Sequence, residues 1–406
     1  MKKIVITILF IGVLVLGLTG ILYAQENIIK IGAAVSLTGK IAYEGRLVKN
    51  GFEVWEDWVN SHGGITAGGK NYQVKIIYYD DESTPVRGAK LTEMLITQNK
   101  VNFLFGPFSS SITLATTAIG EKYKVITIAP LANASDIYER GYKYVFSVLP
   151  PSTTATWPIA HMALDFDPKP EKVAIIAAND LWALSDAEGF RDEAIRQGYE
   201  IVLFEKYPAN AMDISALLTQ VKALNPDILL SFGYTNDTAM FIKQCKELDV
   251  NPKMSVSGCG LVIPSFVEEM GGDLEYVYEI EWWMPSMLGS DKIFGTTTDY
   301  VQACQDKFGP DFIPNYYVSA ASTAGSLLQL AIEKADSIET EKVREALSSL
   351  DVELATWFAV AFNEKGQNIK WLHPVVQMQN NIPVVVYPES AREKSPIYPT
   401  PAWKDR

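Results

Sequence analysis

The chain has 406 residues, of which 48% are hydrophobic and 20% are charged. This composition is typical of a folded globular protein and excludes extended disorder, and the length allows two or three domains. Because 48 acidic residues outnumber 35 basic ones, the net charge is -13. No cluster of basic residues could hold a phosphate backbone, which argues against a nucleic-acid partner. The three cysteines, Cys245, Cys259 and Cys304, suit neither a disulfide scaffold nor a CxxC metal site.

The first residues have the pattern of an export signal. Lys2 and Lys3 precede an apolar run over 4–18, and small Ala24 precedes polar sequence. We predict a signal peptide over residues 1–24 and a mature protein in the periplasm, without a lipid anchor because no Cys lies nearby. An uncleaved anchor is the alternative, since about 20 apolar residues can span a bilayer.

Strand patterns alternate with helical patterns in the first part of the chain. Strands are predicted at 28–36, 72–80, 101–106 and 125–130, and helices at 44–60, 85–99 and 110–122. This alternation is typical of a parallel sheet that is covered by helices on both faces.

The same alternation starts again after residue 150. Helices are predicted at 153–165, 184–197, 213–224, 236–248 and 262–270, and strands at 172–178, 199–207, 227–233 and 253–258. Two such runs predict an α/β protein with two doubly wound lobes. The sequence from 284 to 349 is helical, and 357–379 is predicted to form a β-hairpin with its turn at Lys365 and Gly366. The Pro-rich tail from 388 is predicted to lie on the surface without regular structure.

Motifs for nucleotide binding and for hydrolysis are incomplete. Residues 64–70 have the spacing of a phosphate loop, but Asn71 replaces the Ser or Thr, and the segment leads from a helix into a strand. Its glycines are predicted to serve a helix end and a turn. His62, His161 and His373 belong to no GxSxG or HExxH pattern, so we predict no enzyme, no metal and no cofactor.

A serine-rich segment follows one of the buried strands. Gly106 ends this strand, and Ser109, Ser110 and Ser111 open a helix. Serine hydroxyls and backbone N–H groups at a helix start can bind a carboxylate, whereas plain N-capping would need one serine. The next strand ends in the small and polar residues 129–135, at the edge where open α/β sheets bind ligands.

Aromatic residues follow two strands of the second lobe. Trp182 comes after the strand at 172–178 and Tyr234 after the strand at 227–233, so both are expected at the carboxyl edge as a ligand wall. Residues 281–285 lie where the chain should cross between the lobes.

Several segments together resemble one family. They are IKIGAAVSLTGKIAYEGRLVKNGFE, NSHGGI followed by VKIIYYDDESTP, FGPFSSSITLA, VITIAPLANAS and FNEKGQ. The chain resembles the substrate-binding proteins of branched-chain amino acid type ABC importers, the Leu/Ile/Val-binding protein group with the type I periplasmic-binding-protein fold. The resemblance implies two lobes joined by three crossovers. Lobe 1 would span 25–149 and 284–352, and lobe 2 would span 150–283 and 353–387.

The resemblance also implies a ligand site at the first lobe's sheet edge. The family's carboxylate-binding serine corresponds to Ser109, with Ser110 beside it. Leu131 and Asn133 correspond to the positions that supply a carbonyl and a side-chain hydroxyl, although the family usually has Thr where this chain has Asn133.

The remaining ligand contacts would come from five residues. Trp182 and Tyr234 correspond to the family's aromatic contacts in the second lobe, and Tyr43 and Glu44 lie in the first loop, where the family has an aromatic contact. Cys259 occupies the position that commonly carries an acid for the ligand's ammonium, and a neutral Cys cannot replace that charge. Glu44 could supply it instead, or point to solvent.

The expected function is therefore that of a solute-binding protein that closes over a small carboxylate and delivers it to a membrane permease with cytoplasmic ATPases. A sensing subunit of the same fold, acting with a separate receptor, is the alternative. Because Cys259 replaces the usual acid, we expect an apolar or aromatic carboxylate without an ammonium. A branched-chain amino acid held through Glu44 is the competing prediction.

Overall fold

The computed structural model describes residues 27–356, 359–370 and 373–406. The predicted signal peptide, 1–24, lies outside the described residues. Two separate, mostly parallel sheets organise the molecule, and apolar strands and helix faces build the core around each of them. This arrangement confirms the predicted α/β class.

The first sheet has six strands in the order β2-β3-β1-β4-β5-β6. Its strands are β1 (Ile28–Val35), β2 (Ile65–Ala67), β3 (Lys70–Asp80), β4 (Phe103–Phe105), β5 (Thr127–Ala129) and β6 (Val145–Ser147). Its helices are α1 (Ala42–Ser61), α2 (Pro85–Thr97), α3 (Ser110–Tyr123) and α4 (Ser135–Tyr138). Only the β2–β3 pair is antiparallel. Gly68 and Gly69 have φ angles of 57° and 69° in its turn, which confirms a turn where the phosphate-loop spacing occurs.

The second sheet has seven strands in the order β17-β16-β11-β10-β9-β7-β8. Its strands are β7 (Lys172–Ala178), β8 (Glu200–Tyr207), β9 (Ile228–Phe232), β10 (Met254–Ser257), β11 (Tyr278–Ile280), β16 (Val375–Gln379) and β17 (Ile382–Tyr387). Its helices are α5 (Ser152–Ala155), α6 (Trp157–Ala163), α7 (Leu181–Arg196), α8 (Ser215–Leu224), α9 (Thr235–Glu247) and α10 (Pro264–Met270). Every helix and strand predicted between 28 and 270 is present, with ends shifted by a few residues. We call each sheet with its helices lobe 1 and lobe 2.

The sequence after 284 forms three helices, as its helical pattern predicted. They are α11 (Thr297–Phe308), α12 (Tyr316–Ala335) and α13 (Thr340–Ser348). The buried helix α12 packs along α1, where Ser322 Oγ donates to the carbonyl oxygen of Gly51 at 2.7 Å. Gly325 leaves room for Trp55, because a Cβ at Gly325 would lie 2.1 Å from Trp55 Cδ2. The absence of a side chain therefore allows the two helices to approach closely.

Among the described residues, the predicted hairpin over 357–379 forms only close to its predicted turn, where Phe362 and Asn368 make an antiparallel bridge and Ile369 N donates to Ala361 O at 2.8 Å. Four short strands, β12 (Ser290–Asp291), β13 (Gly295–Thr296), β14 (Asp351–Val352) and β15 (Val360–Ala361), form two small ribbons, and β15 pairs with β14. Strand β16 pairs instead with β11 and β17, inside the second sheet. The predicted turn packs on lobe 1, since Ser147 N donates to Gly366 O at 2.9 Å and Asn368 N donates to Ser147 Oγ at 3.2 Å. Residues 359–368 thus lie against the first sheet, although we expected them in lobe 2.

The C-terminal tail is mostly irregular and lies largely on the surface, as predicted, but parts of it are attached to lobe 2. It contains 3-10 turns at Glu389–Ala391 and Trp403–Asp405. Trp403 is buried against lobe 2, and its Nε1 donates to Val250 O at 2.8 Å. Tyr278 OH donates to Ile397 O at 2.8 Å. Aromatic burial and these hydrogen bonds therefore attach the tail to lobe 2. Over the described part of the chain, no helix is long and apolar enough to cross a membrane.

Candidate functional site

A cavity with about 330 Å³ of empty volume lies where the two lobes meet, at the carboxyl ends of their strands. Its wall consists of Phe108, Ser110, Leu131, Leu149, Trp182, Tyr234, Cys259, Trp282 and Tyr316. A cavity between two lobes, at the carboxyl ends of their strands, is a typical place for a small-ligand site. Five of the nine predicted ligand residues line it, namely Ser110, Leu131, Trp182, Tyr234 and Cys259.

The serine-rich segment forms the start of α3. Ser109 is the N-cap residue, but its side chain makes no capping hydrogen bond, so capping does not explain the serines. Ser109 and Ser110 are 4% and 2% exposed. Ser110 Oγ accepts a hydrogen bond from Ala134 N at 3.4 Å, and Ser110 reaches the cavity. The hydroxyl of Ser110 and the positive end of α3 thus lie together at the cavity wall.

Asp180 of lobe 2 reaches the third serine. Ser111 Oγ donates to Asp180 Oδ2 at 2.9 Å. Tyr234 OH and Trp182 N both donate to Asp180 Oδ1 at 3.0 Å. The sequence analysis missed this residue, although it is an Asp two residues after a strand and directly before a helix. Asp180 therefore fixes the aromatic wall and joins the two lobes.

The aromatic wall is a stack of rings. Trp182 and Tyr234 lie with their centroids 5.2 Å apart and their planes 16° from parallel, and Phe108 of lobe 1 lies 5.3 Å from Tyr234. Burial raises the pKa of Tyr234 well above its usual range, so its phenol stays neutral. On another side, Trp282 contacts His373 edge to face at 4.2 Å. The cavity is thus bounded mainly by flat apolar surfaces.

Asn133 does not reach the cavity wall. Its Nδ2 donates to Pro150 O at 2.9 Å, and its backbone carbonyl oxygen accepts from Ser152 N at 3.1 Å. Asn133 therefore supports the first crossing between the lobes, next to the cavity residue Leu149.

Tyr43 and Glu44 also lie outside the cavity wall, in contacts between the lobes. Glu44 is buried, and its Oε1 accepts from Thr235 Oγ1 of lobe 2 at 2.7 Å. Burial raises the pKa of Glu44, although the bond from Thr235 opposes that shift. Tyr43, 37% exposed, forms a hydrogen bond with Ser265 of lobe 2. Both residues therefore connect the lobes instead of lining the site.

A charged contact lies close to these bonds. Lys40 Nζ is 3.5 Å from Asp237 Oδ2 and also donates to the carbonyl oxygen of Ala209, so lobe 1 contacts lobe 2 here as well. Asp237 in turn accepts from Tyr234 N at 3.0 Å at the start of α9. The structure therefore has a closed cleft, held by polar contacts on several elements.

Cys259 lies in the cavity wall after β10. Burial raises the pKa of its thiol well above the usual range, and Sγ lies 3.4 Å from Gly233 O as a weak donor. The thiol is therefore neutral and provides no charge for a ligand. Within the described residues, no group of three or more His, Cys, Asp or Glu could hold a metal ion.

Two buried acids outside the set of predicted site residues lie in β11 and directly after it. Glu279 accepts from Ser257 Oγ at 2.9 Å and from Gly260 N at 3.1 Å, and burial raises its pKa to about 8. Glu281 Oε1 accepts from Trp282 N at 2.8 Å. Charged residues are rarely buried, so a Glu in a sequence is normally expected at the surface. No pattern in the sequence marked these two acids as exceptions.

Comparison with known proteins places the chain in a family. The model of the family described as "Periplasmic binding protein" matches residues 28–381 of this chain. Leu/Ile/Val-binding protein homolog 8 of Brucella abortus (strain 2308) is 24% identical over 375 residues, which are 89% of this chain and 91% of that protein. Homolog 7 of the same strain is 26% identical over 380 residues, covering 89% of this chain and 92% of that protein.

Solved structures have the same fold. The leucine binding protein LivK from Thermotoga maritima matches with a TM-score of 0.78 and 21% identity, over 88% of this chain and 97% of that chain. LivJ from Streptococcus pneumoniae in complex with isoleucine matches with a TM-score of 0.72 and 24% identity. The match covers 87% of this chain and 97% of that chain. An ABC transporter solute binding protein from R. palustris in complex with benzoate matches with a TM-score of 0.74 and 17% identity. The match covers 89% of this chain and 96% of that chain.

These matches confirm the predicted type I periplasmic-binding-protein fold and the predicted absence of enzymatic activity. They agree with the two lobes and the cavity between them. The chain therefore belongs to the periplasmic binding protein family.

Proposed function

We propose that the chain is the extracytoplasmic solute-binding component of an ABC importer. It captures a small carboxylate-bearing ligand between its lobes and delivers it to a permease that works with cytoplasmic ATPases. The proposal places the mature chain in the periplasm after removal of residues 1–24. Family membership and the cavity between the lobes support it.

The start of α3 carries the argument for a carboxylate. Ser110 reaches the cavity, and the hydroxyl of Ser109 is not used for capping. A helix N-terminus carries a partial positive charge, and its first backbone N–H groups have no partner inside the helix. An anionic group in the cavity would meet both the hydroxyls and this positive end.

Away from the start of α3, the cavity wall is mainly apolar. The part of the ligand that carries no charge should therefore be apolar as well. Phe108, Trp182 and Tyr234 present stacked rings, and Leu131 and Leu149 add aliphatic surface. A wall of this kind suits a ligand with an aliphatic or aromatic body. Isoleucine and benzoate, the ligands of two structural neighbours, have bodies of these two kinds.

Closure of the lobes provides the signal to the permease in this proposal. Ligand contacts from both lobes favour the closed form, as in other hinge-closing proteins. Small-angle scattering of the full chain should therefore show a smaller radius of gyration with saturating ligand. Identical scattering curves with and without ligand would contradict closure on binding.

The carboxylate site can be tested with one charged substitution. A thermal-shift screen first identifies a binding carboxylate, since a ligand at 100 times its dissociation constant adds about 2.7 kcal/mol of stability. Ser109→Asp should then weaken binding of that anion by about 100-fold or more, because two carboxylates repel each other when buried, while Asp keeps the N-cap.

Thr84→Asp is the matched control. Thr84 is the exposed N-cap of α2, which also lacks a side-chain capping bond and lies away from the cavity. Its affinity should equal that of the parent. If Ser109→Asp binds the anion as tightly as the parent, the carboxylate site lies elsewhere.

A further inference from the structure

One carboxyl group is buried between the lobes without a positive partner. Glu44 lies in the first turn of α1 in lobe 1 and is 3% exposed, and its Oε1 accepts from Thr235 Oγ1 of lobe 2 at 2.7 Å. Within the part of the chain that the structure describes, no Lys, Arg or His forms a salt bridge with Glu44. Buried charges are normally paired, and an unpaired buried carboxylate is so unfavourable that such a group commonly takes up a proton instead.

The titratable groups that face Glu44 do not compensate its charge. Asp237 of α9 is another acid, and the cation of this contact, Lys40, lies 3.5 Å from Asp237 Oδ2 and so pairs with that acid. Cys259, after β10, and Tyr317, on α12, also face Glu44. Burial raises the pKa of both groups well above their usual ranges, so both are neutral. The contact between the lobes therefore lacks positive charge at Glu44.

The surroundings of Glu44 depend on the position of the lobes. Thr235, Asp237 and Cys259 belong to lobe 2, so opening of the cleft moves them away and lets water reach the carboxyl group of Glu44. In the open form its pKa should therefore lie near the usual value of about 4.3. In the closed form burial raises this pKa, hydrogen bonds from Thr235 and from the backbone oppose the shift, and the charge of Asp237 adds to it.

We propose that Glu44 couples closure of the lobes to the uptake of a proton, which makes ligand binding tighter in acidic than in neutral solution. The inference rests on the proposed function, in which the ligand closes the lobes, and deepens it by a form of regulation. The proton passes from solvent to the carboxylate of Glu44 as the lobes close. The hydroxyl of Thr235 can donate to the carboxylate or accept from the neutral acid, so the bond between the lobes persists in both states.

The direction of the pH effect follows from the two pKa values of Glu44. The closed form binds the proton more tightly than the open form, so acid favours closure. The gain in affinity is complete below the pKa of the open form and is lost as the pH rises through the higher pKa of the closed form. One proton changes the affinity by at most about tenfold per pH unit.

Calorimetric titration of the full chain with leucine and with benzoate tests this coupling. The titrations are done at about pH 5.5 and about pH 7.5, a range in which neither probe changes its charge. For each probe that binds, the parent should bind at least about threefold more tightly at the lower pH. Titration heats in buffers of different ionisation enthalpy should also show proton uptake on binding.

Glu44→Gln removes the proton and keeps an acceptor for Thr235. Its affinity should change by less than about 1.5-fold between the two pH values, because the side chain cannot ionise. At the higher pH it should bind at least as tightly as the parent, since Gln resembles the protonated acid. A purely structural role of Glu44 would instead weaken binding at both pH values.

Glu56→Gln is the matched control. Glu56 lies on the same helix and burial raises its pKa as well, but its Oε1 accepts from Ile76 N of lobe 1 at 2.9 Å. Opening should leave this contact intact, so Glu56→Gln should keep the pH dependence of the parent. The control also accounts for the histidines, which titrate in the same range in both variants. Equal pH dependence of the parent and Glu44→Gln, or its loss in both variants, would overturn the inference.

The proposed function is judged separately in the same experiment. Binding of either probe with an affinity that does not depend on pH would refute the role of Glu44 and leave the proposed function intact. If neither probe binds the folded parent, the result counts against the carboxylate site, and small-angle scattering of the ligand-free chain decides on Glu44. A radius of gyration that is smaller at the lower pH in the parent, but not in Glu44→Gln, supports the coupling, and equal radii refute it.

Discussion

The hydrogen bond between Thr235 and Glu44 should contribute directly to ligand affinity, because it exists only when the lobes are closed. Thr235 Oγ1 donates to Glu44 Oε1 at 2.7 Å, and both residues are buried between the lobes. In an open form, water would replace each partner. Thr235→Val keeps the shape of the side chain and leaves the acid without its donor in the closed form only.

The expected loss follows from the type of bond. A hydrogen bond to a charged group contributes about 1.5–3 kcal/mol to stability. Burial raises the pKa of Glu44, which weakens the charged form and favours the lower part of this range. Since about 1.4 kcal/mol corresponds to a factor of ten, ligand affinity should fall by about 10- to 40-fold.

Calorimetric titration with a ligand from the thermal-shift screen measures this effect. Thr92→Val is the matched control, because Thr92 Oγ1 donates to Gly88 O at 2.9 Å within α2 and contacts no part of lobe 2. Its affinity should not change. An affinity of Thr235→Val within about twofold of the parent, with an unchanged melting temperature, would show that this bond does not hold the closed form.

Three further predictions concern stability. Trp403→Ala should lower the free energy of unfolding by about 3–5 kcal/mol in urea titration, and a loss below about 1 kcal/mol would show that the tail is dispensable. Glu279 has a raised pKa of about 8, so the folded state binds its proton more tightly than the unfolded state. The free energy of unfolding should therefore fall as the pH rises from about 5 to 8, and Glu279→Gln should reduce this fall. An unchanged pH dependence in Glu279→Gln would contradict the raised pKa of this residue. Gly325→Ala should cost about 1–3 kcal/mol by collision with Trp55, whereas Gly272→Ala, with open space at its Cβ, should not; equal melting temperatures would refute the close helix approach.

The lobes could be predicted from sequence because their elements have simple patterns. Buried parallel strands such as β7 are continuous apolar runs, and helices such as α1 repeat apolar residues at helical spacing. Strand β11 was missed, because Glu279 and Glu281 interrupt its apolar run. The hairpin over 357–379 was predicted from local turn chemistry, which carries no information about the pairing of β16 with β11.

Only some of the predicted site residues line the cavity. Residues whose position follows from the fold were predicted correctly, whereas residues whose position depends on contacts between distant segments were not. Ser110, Trp182 and Tyr234 lie directly after strands, where the fold class alone places them at the cavity. Asn133 and Glu44 have the right chemistry but use it elsewhere, in bonds to Pro150 and Thr235. Contacts of this kind join segments that are distant in sequence, so only the closed structure could show them.

Because the tail is attached to lobe 2, a linker at Arg406 would connect a support to lobe 2 only. Trp403 packs beside Val250, and Arg406 Nη1 donates to Glu275 O at 3.1 Å, both near the amino ends of strands, whereas the cleft lies at their carboxyl ends. A surface linker added after Arg406 would hold the protein by lobe 2 and leave lobe 1 free to move. Immobilised in this way, the protein could report each closing event as the motion of a single dye on lobe 1 relative to a fixed support.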